Sequence, residues 1–143
     1  MKTNSIKVID VMSNDPLTVS PSDTVGKAED LMYENHYRQF PVVENKQLIG
    51  IVSDRDIRSF LAQSSLLEPE ERARALRTKV TNIMTSKPLT VSPDDDLREA
   101  VELLIEEKIG GIPVMDESQG LVGIVTYVDV LRFLLNRLED EQA

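Results

Sequence analysis

Two stretches of the chain set a hydroxyl and a carboxylate three positions apart: Gly50, Ile51, Val52, Ser53, Asp54, Arg55, Asp56 and Gly123, Ile124, Val125, Thr126, Tyr127, Val128, Asp129. Each reads as a glycine-led apolar strand that runs straight into a helix. Free amides and a hydroxyl at a helix start suit a phosphate, and an outward carboxylate can accept from both hydroxyls of a ribose. The same residues also satisfy the hydroxyl, two residues, acid pattern of helix capping, which recurs at Ser20 with Asp23 and at Ser92 with Asp95. Nucleotide contact and capping are both open readings of Ser53 with Asp56 and Thr126 with Asp129.

Other chemistry is poorly supplied. His36 is the only histidine and there is no cysteine, so thiolate chemistry, disulfides and a His and Cys metal set are absent. A triad of Ser53, Asp54 and His36 has no spacing argument behind it, and there is no Walker A lysine motif. Asp94, Asp95 and Asp96 precede a helical stripe, and a helix start accounts for three carboxylates without a metal ion. The expectation is a protein without catalytic activity.

The elements that must position the two junctions are themselves duplicated. Val8, Met12, Pro16, Leu17, Thr18, Val19, Ser20, Pro21 and Asp23 return as Val80, Met84, Pro88, Leu89, Thr90, Val91, Ser92, Pro93 and Asp95, at a constant offset of 72. The offset holds through Pro41 and Pro113, then becomes 73 at Gly50 and Gly123. The slip falls in the polar stretches around Glu44 to Gln47 and Asp116 to Gly120, where one extra residue fits a surface turn. A repeat of this length is one supersecondary unit used twice.

Each copy reads as strand, helix, strand, strand, helix. Brief strands are expected at Leu17 to Val19 and Leu89 to Val91. Helices follow with apolar stripes Val25, Ala28, Leu31, Met32 and Leu97, Ala100, Val101, Leu104. Interior strands are expected near Gln39 to Val43 and Leu48 to Ser53, and near Ile112 to Met115 and Leu121 to Thr126. Final helices start near Asp54 and Tyr127. The stripe Tyr127, Val130, Leu131, Leu134, Leu135, Leu138 predicts that the last helix buries much surface, in the chain's own core or against a second copy. Ser64 to Pro69 breaks the pattern, and Glu70 to Arg77 reads as a connecting helix with Pro69 near its first turn. The divisions are residues 1–63, a connecting segment 64–79, and 80–143.

At 143 residues, halves of this size are marginal as isolated cores, so each is expected to stabilise the other. Hydrophobic content of 41% with 29% charged residues places the chain among globular proteins. No apolar run is long enough to span a bilayer, and no signal peptide is visible at Met1 to Val8. Together with the lack of cysteine this predicts a cytoplasmic protein. A net charge of −9 and 4% aromatic residues oppose nucleic-acid binding. Arg72, Arg74, Arg77 and Lys79 follow Glu68, Glu70 and Glu71, an order that suits a helix dipole and requires no ligand.

The ordered set Thr18, Val19, Ser20, Pro21, then Phe40, Pro41, Val42, Val43, then Gly50 to Asp56 resembles the CBS domain family. Thr90, Val91, Ser92, Pro93, Ile112, Pro113, Val114 and Gly123 to Asp129 repeat it, so the resemblance spans about Val8 to Leu135. It implies an α+β (α/β) fold of two β-α-β-β-α repeats packed as a pseudo-twofold tandem pair, a Bateman module with two clefts. Members sense adenosine ligands such as AMP, ADP, ATP or S-adenosylmethionine and regulate a partner or their own dimer.

Carried over residue by residue, the resemblance makes Asp56 and Asp129 ribose acids and sets Ser53 and Thr126 toward phosphate. Adenine would lie against Thr18, Val19 and Pro41 in one cleft and Thr90, Val91 and Pro113 in the other. Arg38, Gln39, Phe40 and Gly110, Gly111, Ile112 match the stretches whose backbone reads the base edge. The copies differ: Arg38 stands where the second copy has Gly110, and Arg55 and Arg58 flank Asp56 while the second motif has Tyr127 and Val128, with only Arg132 nearby, which favours the Asp56 cleft for di- or triphosphates. Tyr127 is a departure that either stacks on a ligand or obstructs it. No cofactor is required, a homodimer is expected, and the alternative is a scaffold with empty clefts whose two acids serve only as caps.

Overall fold

The computed structural model describes residues 5–64 and 68–142, so Met1–Asn4 and the expected break at Ser65, Leu66 and Leu67 lie outside the described residues. In chain order the first elements are β1 (Ser13–Asn14), α1 (Val25–Asn35), β2 (Gln39–Glu44), β3 (Gln47–Ser53), α2 (Asp54–Ser64) and α3 (Pro69–Leu76). Then come β4 (Thr85–Ser86), α4 (Leu97–Glu106), β5 (Gly111–Asp116), β6 (Gly120–Thr126) and α5 (Tyr127–Gln142). Single 3-10 turns at Val8–Asp10 and Val80–Asn82 precede β1 and β4. No helix among the described residues is long and apolar enough to cross a membrane.

The chain divides into a central unit, Leu17–Pro88, and a composite unit made of Met1–Pro16 with Leu89–Ala143. The sequence repeat and the compact units are therefore cut at different places. The reason is β1, which pairs with β6 at Ser13 opposite Ile124 and Asn14 opposite Gly123, so the leading segment joins the sheet of the second copy. In the central unit β4 pairs with β3 in the same way, Thr85 opposite Ile51 and Ser86 opposite Gly50. The sheets run β2-β3-β4 and β1-β6-β5, all antiparallel.

In the central unit, Asn45 and Lys46 both take left-handed backbone, as a two-residue hairpin turn between twisted strands requires. The β5–β6 turn is longer: the Asp116 carboxylate accepts from the Ser118 amide and hydroxyl and the Gln119 amide, and Gly120 supplies a φ of 77°. This is the inserted residue behind the change of offset. The Ser118 hydroxyl, with the Gln119 and Ser118 amides, outweighs the opposing desolvation and holds the Asp116 carboxyl below the ordinary carboxylate value.

The strands expected at Leu17 to Val19 and Leu89 to Val91 shrink to single parallel bridges, Val19 to Val42 and Val91 to Val114. The Val19 amide donates to Pro41 at 3.0 Å and the Val43 amide to Val19 at 2.9 Å. The pairing ends there because the Ser20 amide is captured by the Asp23 carboxylate at 2.8 Å, as Ser92 is by Asp95, which turns the chain toward the helix. Burial pushes the Asp23 carboxyl up, but the Ser20 amide and the Lys27 ammonium at 3.0 Å together hold it below its ordinary value. The caps of α1 and α4 themselves are Thr24 and Asp96.

β3 and β6 are central strands, whereas β2 and β5 have a full neighbour on one side only; the expectation of interior strands holds for the former pair. The central core gathers Val25, Ala28, Met32, Phe40, Val42, Val52, Ile57 and Val80, and the composite core Val8, Leu97, Ala100, Leu104, Ile112, Val114 and Val125. The helical stripes are thus buried as the periodicity predicts. Pro69 opens α3 at its first turn, where its missing amide costs no helical hydrogen bond. The stripe of α5 does not behave as one face. Val130 and Phe133 pack on the core, while Leu131, Leu134, Leu135 and Leu138 remain about half exposed, so the chain's own core, one of the two settings expected for the stripe, takes Val130 and leaves the leucine row uncovered. That row lies about one helical step round from Val130 and Phe133.

Candidate functional site

The junction of β3 with α2 is built by backbone pairing. Gln39 stands opposite Ser53 and Phe40 opposite Val52, and the Asp54 amide donates to the Arg38 carbonyl at 2.8 Å. The strand end, the first helical residue and the segment before Pro41 are therefore fixed to one another. The Ser53 amide donates to Asp56 Oδ2 at 2.8 Å, and the Asp56 amide donates to Ser53 Oγ at 3.1 Å. This is a reciprocal capping box. Among the described residues it leaves Asp56 Oδ1 without a hydrogen bond, on a partly exposed residue.

The junction of β6 with α5 repeats the frame and adds to it. Gly111 stands opposite Thr126, and the Tyr127 amide donates to the Gly110 carbonyl at 3.3 Å. Asp129 Oδ2 accepts from the Thr126 amide at 2.9 Å and its hydroxyl at 3.0 Å, while the Asp129 amide donates to Thr126 Oγ1 at 3.1 Å. Asp129 Oδ1 accepts from Ser13 Oγ at 2.9 Å, and the residue is 8% exposed. Burial of a carboxylate is tolerated here because both oxygens are bonded.

Both readings of the junctions thus keep physical content: each acid caps its helix, and the two differ in what remains available. Ser53 and Asp56 come together in the central unit, with Arg38 and Arg55 exposed at the same junction. Arg58 lies 3.4 Å from Asp54, an exposed pair of little energetic weight. Thr126 and Asp129 come together in the composite unit, beside Tyr127, which is 40% exposed.

Val19, Val91, Phe40 and Ile112 are core side chains, and Pro41 and Pro113 are fully buried. Any ligand contact from the valines, Phe40 and Ile112 is restricted to backbone, and Val19 already spends its amide and carbonyl on Pro41 and Val43. Thr18 and Thr90 are exposed, and Gly111 is buried in β5. Asp95 and Asp96 hold the Ser92 and Arg98 amides, so these two carboxylates serve the helix start, and the Asp94 backbone carbonyl accepts from Lys7.

Sequence reasoning missed Ser13. A hydroxyl residue follows methionine in both copies, Met12 with Ser13 and Met84 with Thr85, which was the available signal. It also missed why the junction strands carry glycine, since the partner atoms are on the leading strands.

The sequence pattern of the CBS domain family matches residues 8–63 and 80–136. The chain is 35% identical over 139 residues to CBS domain-containing protein DDB_G0289609 of Dictyostelium discoideum, covering 94% of each. Among solved structures it resembles CBSX2 in complex with AMP, with 32% identity, TM-score 0.75, and coverage of 91% of this chain and 96% of that one. It also resembles the CBS domain pair of protein MJ0100 in complex with 5′-methylthioadenosine and S-adenosyl-L-methionine, with 25% identity, TM-score 0.77, and coverage of 90% and 99%. Other relatives are matched only in part: the chain spans 52% of protein MJ1225 of Methanocaldococcus jannaschii and 22% of the inosine-5′-monophosphate dehydrogenase of Korarchaeum cryptofilum.

Proposed function

The chain belongs to the CBS domain family, with two copies in tandem, and from that premise we propose that it is a non-catalytic regulatory module that binds an adenine nucleotide or a related adenosyl compound. The observation that carries the reading is Asp56, a carboxylate at a strand-to-helix junction that holds the Ser53 amide through Oδ2 and whose Oδ1 has no hydrogen bond among the described residues. A ribose diol needs such an acceptor, and the Ser53 proton with the Arg38 and Arg55 guanidiniums suits a phosphate. Thr18 and Thr90 are the exposed members of the segments assigned to the base. The solved complexes of CBSX2 with AMP and of MJ0100 with adenosyl ligands support this ligand class.

A ligand of this kind regulates only by binding one conformation of the module better than another. Differential scanning fluorimetry with AMP, ATP, NADH and S-adenosylmethionine tests the reading: at least one raises the melting temperature, and Asp56→Ala removes the shift. Flat curves across the panel reject it.

A second reading, an interaction scaffold, has its own observation in the exposed leucine row of α5, which suits a homodimer or another protein partner. Under it, Asp56→Ala affects stability and no ligand.

A further inference from the structure

The two junction acids are not in the same state. A carboxylate offers about four acceptor positions. On Asp129 three are spent, two on the Thr126 amide and hydroxyl and one on the Ser13 hydroxyl. On Asp56 one is spent among the described residues, on the Ser53 amide. A vicinal diol donates two hydrogen bonds, so Asp56 receives it as it stands, whereas Asp129 lacks the second position while Ser13 occupies it. Thr85, at the place in β4 that matches Ser13, makes no hydrogen bond to Asp56 among the described residues. The hydroxyls differ too: the Thr126 proton is committed to Asp129, and among the described residues the Ser53 oxygen only accepts, which leaves its proton for a ligand.

We infer that Ser13 sets the difference in ligand specificity between the two acids. By donating to Asp129 Oδ1 it closes the composite unit's acid to a ribose diol and leaves Asp56 as the principal diol acceptor. The inference rests on the adenosyl-ligand reading and adds to it the residue that makes the two sites unequal. A diol reaching Asp129 must displace a charge-assisted hydrogen bond that also helps bury the carboxylate, which weakens binding there on the order of tenfold.

The test is isothermal titration of the full chain with AMP and with 2′-deoxy-AMP, comparing wild type, Asp56→Asn, and Asp56→Asn combined with Ser13→Ala or Ser13→Cys. Asparagine keeps an acceptor for the Ser53 amide, so α2 stays capped, and cysteine keeps the size of serine but donates weakly. The expected result is that Asp56→Asn weakens AMP binding and that removing the Ser13 hydroxyl in this background strengthens it about tenfold, with no gain for 2′-deoxy-AMP. If AMP binding is weakened by Asp56→Asn but unchanged by either Ser13 substitution, in variants with matching melting curves, the role of Ser13 is overturned and the adenosyl reading stands. Equal gains for the two nucleotides overturn it as well, because Ser13 is then not excluding the diol. Absence of binding by wild type of AMP, ATP, NADH and S-adenosylmethionine alike, seen before any variant is made, rejects both, and if another member of the panel binds in place of AMP the same comparison is run with that ligand and its 2′-deoxy form.

Discussion

Met84 fills the space where a side chain on Gly50 would begin: a β-carbon on Gly50 would stand 2.5 Å from Met84 Sδ and 2.9 Å from the Thr85 carbonyl oxygen. The composite unit repeats the relationship, with a β-carbon on Gly123 2.6 Å from Met12 Sδ and 2.8 Å from the Ser13 carbonyl oxygen. The glycine that opens each junction strand is therefore required by the short leading strand that crosses it. A ligand is not needed to explain it.

Alanine at either glycine should destabilise the protein by about 1–3 kcal/mol, the usual cost of forcing atoms into a filled space. Urea denaturation checks this, and Met84→Ala supplies a finer test. A flexible thioether can move but the Thr85 carbonyl is held in the sheet, so Met84→Ala should rescue Gly50→Ala only in part. Full rescue would mean that the backbone contact carries no cost.

The repeat, the helical stripes and the junction acids were legible because each is a local pattern: period, cap and strand-to-helix transition sit within a few residues. What was not legible depends on pairing between distant segments. Nothing local announces that Ser13 meets Asp129 across 116 residues, or that β1 completes the sheet of the second copy. The strand expected at Leu17 to Val19 failed for a competing local reason, the capture of the Ser20 amide by Asp23. Phe40 and Ile112 matched a binding segment in sequence, and their complete burial makes their side chains part of the cores.

The junction acids should differ in structural weight. Asp56→Ala removes one cap, which costs about 1 kcal/mol. Asp129→Ala also removes the acceptor of Ser13 Oγ and Thr126 Oγ1 in a part-buried network, and the loss should exceed that of the cap alone, at about 1–3 kcal/mol. Chemical denaturation of the two variants side by side decides this, and equal losses would contradict the burial and bonding described for Asp129.

Acid should weaken the fold through Asp23 and Asp116. Both carboxyls are held below their ordinary values, so the unfolded chain takes up protons before the folded one does. Their contribution is present in full above about pH 4, the unfolded value, and is lost as the pH falls through the lower folded value. Melting temperature against pH should show a shallower acid limb in Asp23→Asn with Asp116→Asn than in wild type. An unchanged slope would show that the Ser20, Lys27 and Ser118 contacts do not discriminate between the charged and neutral acids.

The leucine row of α5 offers a separation of stability from assembly. Leu131, Leu134, Leu135 and Leu138 recur at i, i+3, i+4 and i+7, so they share one face, and their exposures lie between 47% and 57%. Side chains that the chain itself leaves half exposed contribute little to its core, so Leu131→Lys with Leu135→Lys should change stability by less than about 1 kcal/mol. Four contiguous leucines facing water form the kind of patch that a second copy covers. Sedimentation velocity should therefore give a dimer for wild type and a monomer for the double variant, with matching melting curves. A monomeric wild type would remove self-association as the purpose of this face, and a large loss of stability in the variant would mean that the row belongs to the core after all.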